Sequence, residues 1–225
     1  MTAFGPHATQ PPVVAGLPLG EADAALILVH GRGGSAEDIL GLADAVDCRD
    51  LALIAPLAAG RTWYPHSFLA PVEANEPGRS SGLSVLDSIV QDLVASGIAP
   101  EKVILAGFSQ GACLTLEFVA RHPRRYGAVA GLTGGLIGPP GTLSGYQGSF
   151  EGTPIFLGSG DPDPHVPWVR VEETAGVLAE LGASVELERY PGRPHSISRD
   201  EIARLDALVH EVRVGSHTPG VLKGS

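Results

Sequence analysis

The sequence predicts an α/β domain built on a mostly parallel, doubly wound sheet, and three observations point there. Six short runs, at 24–29, 51–55, 103–106, 128–132, 154–157 and 185–187, are mostly apolar throughout instead of alternating. Such runs suit strands buried on both faces of a parallel sheet. Segments with helical periodicity fall between them, and strand–helix alternation over this length defines the class. Finally, 30 glycines and 19 prolines in 225 residues stand beside 44% hydrophobic residues. A chain that can bury so much apolar surface folds, so the glycines and prolines are punctuation within one domain.

Each element has its own signal. Residues 1–21 form an N-terminal segment whose apolar patch, Val13, Val14, Leu17 and Leu19, reads as an edge strand or hairpin. Ser35 and Asp38 make a capping box before a face of Ile39, Leu40, Leu42, Ala43 and Val46. Leu83, Leu86, Val90 and Leu93 form a second helical face that Gly97 would cap. Further helices are expected over 110–121 and 168–181, and from Ser198, with Glu201 three residues on. The last presents Ile202, Leu205, Leu208 and Val212. The domain is thus expected over 22–213, with a tail at 214–225.

Composition removes several functions. A net charge of −10 argues against nucleic acid or an anionic membrane as partner. No apolar run approaches the ~20 residues of a membrane span, and the first basic residue is Arg32, so no secretory leader is read. Cys48 and Cys113 make neither a disulfide framework nor a metal motif. A cytoplasmic protein without metal is the expectation.

The strongest chemical signal is Gly107-Phe108-Ser109-Gln110-Gly111, which leaves an apolar strand and enters a helix. A serine at the tip of such a turn exposes its hydroxyl, and flanking glycines relieve crowding. A serine hydroxyl is a weak nucleophile and needs a base oriented by an acid. Downstream, Asp161 and Asp163 follow the strand at 154–157, and His195 follows the one at 185–187. The other histidines precede the serine or lie on predicted helices, in the tail or on the acid loop itself, which leaves His195 as the base. The loop His30-Gly31-Arg32-Gly33-Gly34 leaves the first core strand. With Gln110, its Arg32 backbone N–H would form an oxyanion hole contributing on the order of 3 kcal/mol per donor. The same loop satisfies a loose dinucleotide fingerprint, but the second strand ends Ala55-Pro56-Leu57 without the required acid.

Together, His30-Gly31-Arg32-Gly33, the Ser109 turn, Gly160-x-x-Asp163-x-x-Val166-Pro167 and Gly192-x-x-His195 resemble the phospholipase/carboxylesterase branch of the α/β-hydrolases. The resemblance spans roughly residues 22–213, with the four motifs in the family's order. It implies an α/β-hydrolase fold without a large cap domain, no cofactor, and members that often pair as homodimers. It also implies a triad of Ser109, Asp163 and His195, choosing Asp163 over Asp161 by its distance from the Val-Pro pair, with Arg32 and Gln110 as oxyanion donors. Ser159 and Gly34 depart from the pattern, as does the 134–152 segment, expected as a loop over the site.

The long connection at 56–81 gathers Trp63, Tyr64 and Phe68, expected to wall an acyl pocket, Trp63 foremost. Cys113, one turn beyond the serine, is expected to be a buried structural thiol. The function expected is hydrolysis of a small-molecule ester, thioester or lysophospholipid through an acyl-enzyme on Ser109. The alternative is a non-catalytic ligand-binding protein on the same fold.

Overall fold

The computed structural model describes residues 3–215. Seven strands form one sheet in the order β1-β3-β2-β4-β5-β6-β7. They are β1 (Val13–Gly16), β2 (Ala24–Val29), β3 (Leu51–Ala55), β4 (Val103–Phe108), β5 (Ala128–Leu132), β6 (Pro154–Asp161) and β7 (Ser184–Pro191). All neighbouring pairs are parallel except β1–β3. The N-terminal patch therefore does form an edge strand, with Val13 opposite Ala55.

The apolar runs are continuous because both faces are covered. Along β2, Ala25, Ile27 and Val29 enter one core, while Ala24, Leu26 and Leu28 enter the other. The first core is closed by α2 (Gly78–Ala95), α3 (Gln110–Arg121) and α4 (Trp168–Glu180). The second is closed by α1 (Ala36–Leu40) and α5 (Arg199–Gly215). Each buried Leu, Ile or Val contributes about 1.5–3 kcal/mol. Edge strand β7 departs from the expectation: its residues largely alternate between half-buried and exposed, because Val185 and Leu187 pack on the first core beside α4 while Glu186 and Glu188 on the other face are exposed.

Local signals explain the helix ends. Ser35 and Asp38 form a full capping box at α1, yet the α-helix lasts five residues before tightening into a 3-10 turn over Gly41–Ala45. The helix α5 runs through Gly215, so residues 214 and 215 of the expected tail are helical; 216–225 lie outside the described residues. No helix among the described residues is long and apolar enough to cross a membrane.

The sheet order sets the site. From β2 the chain moves outward to β3, then returns to place β4 on the other side of β2. At such a switch point the loops after two adjacent strands part and leave a crevice at their C-terminal ends. The loops holding Arg32 and Ser109 are those two.

Candidate active site

Ser109 sits between β4 and α3 with φ +55° and ψ −120°, a conformation costing about 1–3 kcal/mol for a residue with a side chain. Its neighbours hold it there. Its N–H donates to Leu132 O at 3.0 Å, and its carbonyl accepts from Cys113 N–H at 3.0 Å. A Cβ on Gly111 would overlap the carbonyl oxygens of Val29 and His30, and one on Gly107 would press on the backbone of Gly111 and Ala112. Both glycines are therefore steric requirements of packing α3 against β2 and β4.

His195 reaches this serine from the loop after β7, its Nε2 2.8 Å from Ser109 Oγ. On its other side, Nδ1 lies 2.8 Å from Asp163 Oδ2. A carboxylate only accepts, so Nδ1 carries the proton and Nε2 is free to accept from the serine hydroxyl. Asp163 Oδ1 accepts from the N–H groups of His165 and Val166, both at 2.8 Å, and its side chain is wholly shielded from solvent. Burial pushes its carboxyl up, but those two N–H donors and the His195 ring outweigh it, holding the group below the usual carboxylate range. Asp161 lies elsewhere, paired with Arg189. The His195 ring is packed by Phe108 and, edge-on, by His165, with centroids 5.2 and 4.8 Å away.

The backbone N–H groups of Arg32 and Gln110 donate to no other described residue. The Gln110 side chain is committed to the 56–81 connection, accepting from Trp63 N–H at 2.9 Å and donating to Tyr64 O at 2.8 Å. Arg32 ties in the same segment through Pro65 O and His66 O, at 3.0 and 2.8 Å. A cavity of about 720 Å³ opens on Ser109 and His195, walled by Tyr64, Phe68 and Val166, with Cys113 also at its wall. Cys113 is buried as expected, and burial pushes its thiol up to about 12, which removes it as a nucleophile.

Two expectations need correction. Trp63 is fully buried and absent from the cavity wall. It is packed behind the site by the rings of His7 and His30, and its indole N–H donates to His30 O at 2.9 Å. Tyr64 and Phe68, by contrast, do reach the cavity. The 134–152 segment lines none of it. Leu136 and Ile137 are instead buried in the first core, and the carbonyls of Leu136 and Gly138 accept from Arg170 at 2.9 and 2.8 Å.

His7 and His30 are residues whose part in the site the sequence reading missed. Consecutive amides of the pocket loop donate to their rings: Ala59 N–H to His7 Nδ1 at 3.0 Å, and Ala58 N–H to His30 Nε2 at 3.2 Å. Both imidazoles must be neutral to accept, and burial lowers the pKa of each. Only the unfolded chain takes up these protons readily. Their contribution to stability is therefore complete above about pH 6.5 and is lost as pH falls through the lowered folded values. Thermal melts between pH 7.5 and 5 should show a falling Tm that flattens in His7→Gln; an equally steep fall in that variant would refute the assignment.

Among the described residues no group of three or more His, Cys, Asp or Glu is placed to hold a metal. A serine on a strand-to-helix turn, with a carboxylate and then a histidine following in chain order at the sheet's C-terminal edge, defines the α/β-hydrolase class. Residues 13–212 match the family model described as Phospholipase/Carboxylesterase. The chain belongs to that family, whose members here are named as esterase-type hydrolases. A phospholipase/carboxylesterase of known structure from Dyadobacter fermentans is 42% identical, superposes with a TM-score of 0.88, and covers 92% of this chain and 99% of its own. Carboxylesterase SOBER1 of Arabidopsis thaliana is 28% identical over 164 residues, 71% of each chain. Acyl-protein thioesterase 1 of Kluyveromyces lactis is 33% identical over 132 residues, covering 57% of this chain and 58% of the relative.

Proposed function

We propose that the chain is a cofactor-independent serine hydrolase that cleaves carboxylic esters, thioesters or lysophospholipids through an acyl-enzyme on Ser109. The observation that carries this reading is the unbroken hydrogen-bonded series Asp163–His195–Ser109, 2.8 Å at each link. His195 Nε2 takes the proton as Ser109 Oγ attacks the acyl carbonyl, and Asp163 stabilises the imidazolium that forms. The N–H groups of Arg32 and Gln110 receive the developing oxyanion. As the tetrahedral intermediate collapses, His195 returns its proton to the leaving alcohol or thiol. Water then attacks the acyl-enzyme by the same route, releasing the acid and restoring Ser109. Free Cys48 and Cys113 accord with action in the reducing cytoplasm.

The test is covalent labelling. A fluorophosphonate should modify folded protein at Ser109 alone, at a rate that Asp163→Asn greatly reduces. An unlabelled Ser109 in folded protein would favour the non-catalytic binding protein instead.

A further inference from the structure

The protein carries a net charge of −10, yet the cavity at Ser109 is lined by Arg32, His66, His165 and His195 and by no Asp or Glu. The Asp163 carboxylate is shut behind the His195 ring, with its oxygens taken by three donors. Among the described residues Arg32 has no carboxylate partner. Its guanidinium is exposed and held by two carbonyl oxygens, which fix its position without cancelling its charge. Arg61, close by in the same loop cluster, is by contrast paired with Asp38.

The imidazoles of His66 and His165 are exposed and make no hydrogen bond to another described residue. Even uncharged, each offers one N–H donor at the cavity. Fixed cationic and donor groups without an acid among them attract and orient an anion, most strongly at low ionic strength.

We propose that this hydrolase prefers substrates bearing an anionic group, a carboxylate or phosphate, bound by Arg32 with His66 and His165. This rests on the serine hydrolase reading and narrows its substrate class. The anion can sit on the acyl side or the alcohol side of the scissile bond, with Tyr64, Phe68 and Val166 supplying the apolar wall beside it.

Two matched pairs test it: mono-p-nitrophenyl glutarate against its methyl ester, and 1-butyrylglycerol 3-phosphate against 1-butyrylglycerol. At low salt the charged member of at least one pair should show kcat/KM about tenfold higher. The responding pair tells which side carries the anion. That advantage should shrink toward unity at high salt, and in Arg32→Met and the His66→Gln/His165→Gln double variant. Comparing charged with neutral rates in one preparation makes the ratio independent of how much enzyme is folded. Equal rates in both pairs, or a preference that survives in both variants, would overturn the proposal while leaving the hydrolase reading intact. No turnover of any member would bring down both.

Discussion

Ser109→Ala should lower kcat by about five to six orders of magnitude on any ester the enzyme accepts. The size follows from the chemistry, because the variant lacks both the oxygen that bonds to the acyl carbon and the proton His195 must receive. Little else should change. Alanine keeps the Cβ, so the backbone strain at φ +55° is the same, as are the hydrogen bonds from Ser109 N–H to Leu132 and from Cys113 N–H to Ser109 O. The lost side-chain contact is the one to His195, whose ring stays held by Asp163, Phe108 and His165. Wild-type melting behaviour and near-wild-type affinity for a product acid should therefore accompany the loss of turnover. A folded Ser109→Ala protein retaining a tenth of the activity would show that the nucleophile lies elsewhere.

What could be read in the sequence followed from local sterics and from chain order. The turn at Ser109 was legible because close packing of α3 against β2 and β4 demands glycine at 107 and 111. The strands were legible because a sheet covered on both sides needs apolar residues at every position. Trp63 was misread for a tertiary reason. An aromatic in a long connection next to a site suggests a pocket wall, but its burial is decided by His7, 56 residues earlier, and His30, 33 residues earlier. No periodicity carries that information. The 134–152 segment was opaque for a related reason, since charged helical residues such as Glu117 and Arg170 are ordinarily read as facing solvent. Here both are buried and point into the protein.

Glu117 is where that hidden arrangement is most exposed to experiment. Its side chain is fully buried, with Oε1 accepting from Arg79 and Arg121, both at 2.6 Å. Oε2 accepts from Ile137 N–H at 3.1 Å and from Tyr146 O–H at 2.9 Å. One carboxylate on α3 thus binds α2 and both ends of the segment that follows β5. Its removal leaves a nearly buried guanidinium, a hydroxyl and a backbone N–H short of their acceptor at once. Breaking a buried pair from one side costs about 3–5 kcal/mol, and among the described residues Arg79 then retains only Glu76 as a carboxylate partner, at 3.3 Å. Glu117→Ala should accordingly lower the free energy of unfolding in urea by about that amount, with Tm falling roughly 10 °C. Glu117→Gln keeps an acceptor of the same shape and should lose less. The segment itself reports on the cause: the Ile137 amide, protected in the native protein, should exchange faster in Glu117→Ala than amides in β4. Gly138 N–H also donates to Phe68 O at 2.8 Å, so loosening of the segment reaches a wall of the cavity and should raise KM more than it lowers kcat. A loss below about 1 kcal/mol would mean that the network is solvated in solution and that packing of Leu136 and Ile137 alone holds the segment down.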